Sequence, residues 1–100
     1  MQFYKLDEKD KHDLATGKAV LLDVRSPEEY REAHTKYARN FDIRILESGH
    51  MLTLTKSTPI FLYCRAGHRS ARAKALLAAS GYSKIEDLGT LEAVQAQIGE

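Results

Sequence analysis

The stretch Ile60-Phe61-Leu62-Tyr63-Cys64-Arg65-Ala66-Gly67-His68-Arg69-Ser70 carries three signals in succession. Four consecutive apolar side chains after Pro59 read as a strand buried on both faces, the pattern of a parallel sheet covered by helices. Ser70 to Ser80 (SARAKALLAAS) is rich in alanine and leucine and stops at Gly81, which predicts a helix ended by glycine. The six residues between, Cys64 to Arg69, therefore place the only cysteine where a strand hands over to a helix. In open α/β sheets, ligands bind at such places, outside the carboxyl ends of the strands.

On the amino-terminal side, Ala19-Val20-Leu21-Leu22-Asp23-Val24 is a second continuous apolar strand. Ser26-Pro27-Glu28-Glu29-Tyr30 opens a helix, with serine as N-cap, proline at the first helical position and acids against the positive end of the dipole. Asp7 caps an earlier helix that ends near Gly17, and Phe3-Tyr4 reads as a short first strand. Ala38 to Phe41 predicts a strand, Ile43 to Leu54 a loose helix broken near Gly49, Ile85 to Leu88 a last strand, and Thr90 to Ile98 a last helix capped by Thr90. The alternation predicts one α/β domain over residues 1–100, with a mostly parallel sheet of about five strands covered by helices on both faces.

At 43% hydrophobic and 29% charged, one hundred residues can bury a single core without staples. Fifteen basic against fourteen acidic residues argue against an extended polyanion surface, so no nucleic-acid partner is expected. No apolar run approaches the ~20 residues that cross a bilayer, and Met1 to Leu6 followed by DEKDKHD does not read as a signal peptide. A lone cysteine cannot close an internal disulfide and suits a reducing compartment; a cytoplasmic location away from membranes is expected. His12, His34 and His50 have no cysteine or acidic cluster at ligand spacing, so no metal is assigned, nor any other cofactor. The oligomeric state is left open.

The near-balance of charge hides a gradient. Between Ser48 and Ile85 there is no acid, whereas Lys56, Arg65, Arg69, Arg72, Lys74 and Lys84 are all basic. A solvated basic helix face is the plain explanation, and Arg72 and Lys74 fit it. Arg65, Arg69 and Arg72, however, all lie within nine residues of Cys64. A thiol attacks as its thiolate, which a helix N-terminus and adjacent cations favour. Ala66 and Gly67 are small enough for the loop to curl with its N–H groups inward, a nest for an anion or a charged sulfur, while Arg69 returns a guanidinium to the rim. Cys64 is thus read as a nucleophile in preference to a small buried hydrophobe. His68 reads equally as a solvated loop residue or as a proton donor or anion contact.

The residues at these positions resemble the rhodanese family of single-domain thiosulfate sulfurtransferases over nearly the whole chain. Leu21-Leu22-Asp23-Val24-Arg25-Ser26-Pro27-Glu28-Glu29-Tyr30 is similar to the family's N-terminal signature, Tyr63 to Ser70 to its active-site loop, and Gly81-Tyr82 with Ile85 and Leu88-Gly89 to its closing strand. The resemblance implies an α/β sandwich and a double displacement: Cys64 takes the outer sulfur of a donor such as thiosulfate, holds it as a persulfide, and yields it to cyanide, a thiol or a protein thiol. On this resemblance Arg65, Ala66, Gly67, His68 and Arg69 bind the small anionic donor, with the charged loop favouring thiosulfate over 3-mercaptopyruvate. Asp23, Arg25 and Ser70 support the site, Arg25 pairing with an acid such as Glu29 and Asp23 accepting hydrogen bonds from the loop.

Two stretches depart from the family pattern. Its Gly-His-Ile-x-Gly-Ala is here Ala33-His34-Thr35-Lys36-Tyr37-Ala38, and its Gly-Gly and later tryptophan are Gly89-Thr90 and Val94. A changed loop and a less bulky wall beside the site are expected. Phosphatases and arsenate reductases on related folds have one residue more between cysteine and arginine than the four found here, which makes phosphoryl or arsenate chemistry the alternative enzyme. A non-enzymatic persulfide carrier or partner-binding module is the third reading.

Overall fold

The computed structural model describes residues 3–50 and 53–99. In chain order the elements are α1 (Glu8–Thr16), β1 (Val20–Asp23), α2 (Pro27–Glu32), β2 (Ala38–Asn40), α3 (Ile43–Glu47), β3 (Ile60–Cys64), α4 (His68–Ala79), β4 (Ile85–Thr90) and α5 (Leu91–Ile98). The strands form one wholly parallel sheet of four in the order β2-β1-β3-β4. Among the described residues no helix is long and apolar enough to cross a membrane.

The two apolar runs occupy the centre of this sheet, and every residue of β1 and β3 is buried. Their side chains divide by the strand period of two. Val20, Leu22, Ile60, Leu62 and Cys64 face a core closed by Ile43 and Leu46 of α3 and by Ala73 and Leu77 of α4. Leu21, Phe61 and Tyr63 face the opposite core, closed by Leu14 of α1 and Val94 of α5. Val94, expected in a wall beside the site, is instead fully buried in this second core.

Among the described residues the sheet has four strands where about five were expected, and Phe3-Tyr4 forms none. Phe3-Tyr4 makes a single bond to the edge of β4, from the Tyr4 N–H to the Asp87 carbonyl at 2.8 Å, and one bond is not a ladder. The segment is held by side chains instead: the Tyr4 ring stacks on Phe61 at 5.9 Å, and its hydroxyl donates to Asp10 at 2.7 Å. Two residues on, the Leu6 N–H has already turned to the side chain of Gln97, at 2.6 Å.

Helix α4 begins at His68, two residues before the expected Ser70, because Gly67 caps it through a left-handed backbone (φ 95°) with no capping side chain to announce it. The loose helix expected to Leu54 is the short α3; the rest of that expectation lies partly outside the described residues. At the altered Ala33–Ala38 stretch, Tyr37 takes φ 70°, the one non-glycine residue with a positive φ among those described, at the position where the resembled pattern has its second glycine. The loop is anchored around it. Thr35 is fully buried with its N–H on the Tyr63 hydroxyl at 3.2 Å, and the Tyr30 hydroxyl donates to the Ala38 carbonyl at 2.8 Å.

Candidate active site

The strand order reverses direction between β1 and β3, which opens a crevice at their carboxyl ends. Asp23 ends β1 and Cys64 ends β3, and the Val24 N–H to Tyr63 carbonyl bond at 3.2 Å ties the two ends together. Cys64 is only 1% exposed. Its sulfur accepts the Gly67 N–H at 2.9 Å and donates to the Ser70 hydroxyl at 3.4 Å, which itself donates to the Gly67 carbonyl at 3.3 Å. The thiol therefore sits on the first turn of the twelve-residue α4, where unpaired N–H groups and the positive end of the dipole stabilise negative charge. On ionisation, the Ser70 hydroxyl has only to rotate to become a second donor to sulfur.

Arg25 does not pair with Glu29. Its own backbone N–H and its guanidinium both bond Asp23, the side-chain contacts running from 2.7 to 3.1 Å, and its outer nitrogen reaches the Ala33 carbonyl at 2.6 Å. The reason is local: an aspartate two residues back, at the strand end, closes a turn onto Arg25 N–H and so brings the guanidinium onto the same carboxylate. Asp23 is thereby turned towards Arg25 and away from the role of accepting bonds from the Cys64 loop. With both side chains buried, the pair braces the end of β1 against the loop after α2.

Glu29 pairs instead with Arg69. The two guanidinium tips meet the two carboxylate oxygens at 2.6 and 3.0 Å, while Ser26 adds its N–H and hydroxyl at 3.2 and 3.1 Å. The guanidinium holds the Glu29 carboxyl down at about 2, and the carboxylate in turn raises Arg69. Glu29, expected only as a partner for Arg25, thus sits at the site paired with Arg69. The signal available was the capping box, which aims the third helical side chain back at the start of α2 and so at the crevice.

Of the other loop residues, Arg65, Ala66 and His68 are exposed and Gly67 and Ser70 are buried. Beside the loop lies a cavity of about 190 Å³, bounded by Arg25 and Glu29 on one side, Arg65 on another, and Leu91 and Glu92 at the start of α5. A space this small suits a small molecule or ion better than a drug-sized one. A larger cavity of about 400 Å³ opens at the amino ends of β3 and β4, lined by Tyr4, Asp10, Pro59, Ile60 and Lys84, and has no part of the thiol loop in its walls. Among the described residues no group of histidine, cysteine and acidic side chains is placed to hold a metal ion.

Comparison with known proteins bears on the family and the fold. The Rhodanese-like domain model matches residues 6–95. Thiosulfate sulfurtransferase PspE of Escherichia coli (strain K12) is 33% identical over 72 residues, covering 71% of this chain and 69% of PspE. YqhL of Bacillus subtilis (strain 168) is 35% identical over 71 residues, and this chain spans only 56% of its length. Among solved structures, a rhodanese with anions from E. coli superposes with a TM-score of 0.67 at 32% identity, over 75% of this chain and 89% of that one. Fold, thiol loop and sequence likeness converge: the chain belongs to the family of rhodanese-like domains.

Proposed function

We propose that this protein is a sulfurtransferase that moves sulfane sulfur from thiosulfate, through a persulfide on Cys64, to a thiol or cyanide. The observation that carries the reading is the Cys64 sulfur seated on the first turn of α4 with the Gly67 N–H at 2.9 Å. As thiolate, Cys64 attacks the outer sulfur of thiosulfate; the sulfur–sulfur bond breaks and sulfite leaves with the bonding pair. The persulfide that remains carries its negative charge on the terminal sulfur, where loop N–H groups and the helix dipole stabilise it. An acceptor thiolate or cyanide then attacks that terminal sulfur and restores the Cys64 thiolate, with no net gain or loss of electrons by the enzyme.

The exposed Arg65, at the mouth of the small cavity, attracts the dianionic donor and offsets the charge of the departing sulfite. Arg69, engaged by Glu29, holds α4 and its loop against α2. The near-complete enclosure of the sulfur and the four-residue spacing to Arg69 favour a single sulfur atom over a tetrahedral phosphate.

The discriminating experiment measures thiosulfate:cyanide turnover and aryl phosphate hydrolysis side by side in the parent and in Cys64→Ser. Sulfur transfer that vanishes in the serine variant, with negligible phosphatase activity in either, supports the reading. Phosphate release by the parent would transfer the assignment to phosphoryl chemistry, and a stoichiometric persulfide without turnover would make the protein a carrier.

A further inference from the structure

Phe3 precedes α1 and belongs to no strand, yet its ring reaches the thiol loop. The segment carrying it is fixed at Tyr4, whose N–H bonds the Asp87 carbonyl at 2.8 Å, and at Leu6, whose N–H bonds Gln97 at 2.6 Å. Held there, the ring lies in a slot between two glycines from different elements. One is Gly67, in the Cys64 loop; the other is Gly89, near the end of β4. Both take left-handed backbones, φ 95° and 91°. A Cβ on Gly67 would stand 2.8 Å from Phe3 Cζ, and one on Gly89 would stand 2.4 to 2.7 Å from Cδ2, Cγ and Cε2, so each glycine leaves the space that the ring fills.

The two walls of the slot differ in what holds them. Gly89 is fixed by its N–H on the Asp87 carboxylate at 2.9 Å and by the pairing of β4 with β3 alongside, where Cys64 stands opposite Thr90. Gly67 lies outside any strand, and glycine is the residue freest to rotate its peptide plane. Its N–H is the one that meets the Cys64 sulfur.

We infer that Phe3 is a positioning residue for Cys64: seated on Gly89, the ring confines Gly67 to the backbone conformation that directs its N–H at the sulfur. The N-terminal segment is thereby part of the catalytic loop's support, although it contributes no atom to the reaction. The kinetic consequence rests on the sulfur-transfer reading; the structural consequence does not. Without the ring, persulfide formation slows because the charge on sulfur loses an aligned donor. Thiosulfate binding is retained, because the attraction of the exposed Arg65 for the dianion does not depend on where the Gly67 N–H points.

The test uses Phe3→Ala, Phe3→Leu and Phe3→Tyr, with amide hydrogen exchange at Gly67 and steady-state sulfur transfer measured on each folded protein. Phe3→Ala is expected to speed Gly67 exchange and lower kcat roughly tenfold with KM little changed, a misaligned donor being a loss in the transition state. Phe3→Leu restores most of both. Phe3→Tyr separates positioning from mere filling: the added oxygen sits on Cζ, the atom facing Gly67, and is expected to disturb the loop, whereas an ordinary space-filling site beside solvent accepts tyrosine. Unchanged Gly67 exchange and kcat in both the alanine and tyrosine variants would overturn the inference. If the parent transfers no sulfur at all, the functional reading falls, and the exchange of Gly67 still decides the role of Phe3.

Discussion

Arg69 and Glu29, forty positions apart in the chain, form a two-pronged ion pair that joins the first turn of α4 to the first turn of α2. Glu29 also lines the small cavity beside the thiol loop. Because folding lowers the Glu29 carboxyl from 4.5 to about 2, the pair's contribution to stability is complete above pH 4.5 and is lost as pH falls through about 2. Glu29→Gln should therefore cost about 1–2 kcal/mol near neutrality, a charge-assisted pair being replaced by a weaker bond. Thermal melts of parent and variant across acidic pH should converge between pH 4.5 and about 2. A stability difference that stays constant over that range would show that the pair does not carry it.

Arg65 and Arg69 are expected to separate in kinetics. Arg65 is exposed at the cavity mouth, so Arg65→Ala should raise KM for thiosulfate by up to about tenfold, and added salt should reproduce part of the effect in the parent. An uncharged sulfur donor should feel little of either. Arg69→Ala, which frees Glu29 and loosens α4, should instead impair charged and uncharged donors alike. The opposite pattern would make Arg69 the residue that reads the anion.

Much of this arrangement was legible in the sequence, for identifiable reasons. β1 and β3 are largely apolar runs because both of their faces are buried, and the cysteine that ends β3 ahead of an alanine-rich helix marked the candidate site. What escaped was decided by contacts distant in sequence or by backbone alone. Arg25 had two acids within reach, and a turn closed on Asp23 chose between them, leaving Glu29 for an arginine in another helix. The start of α4 carried no capping side chain, since Gly67 supplies the turn by its φ. Phe3-Tyr4 has the composition of a strand, but its rings are committed to Gly67, Gly89 and Phe61, and only one backbone bond reaches β4.

Tyr37 offers a test of local strain. A left-handed backbone costs a residue with a Cβ roughly 1–2 kcal/mol, which glycine avoids. Tyr37→Ala keeps that cost and loses the ring, including its contact with the Lys36 ammonium at 5.4 Å. Tyr37→Gly loses the same ring and sheds the cost. The glycine variant should therefore be more stable than the alanine variant by about 1 kcal/mol, the reverse of the usual order in which glycine destabilises through unfolded-state entropy. Chemical denaturation of the two variants decides it; an alanine variant equal to or better than glycine would mean that the loop relaxes out of the left-handed region.

Whether Cys64 carries the sulfur is decided by intact-protein mass spectrometry after incubation with thiosulfate. The expected result is the addition of one sulfur atom to the parent chain, removed by a thiol reductant or by cyanide and absent from a folded Cys64→Ser variant. A parent protein that remains unmodified, or a serine variant that gains the same sulfur, would contradict it.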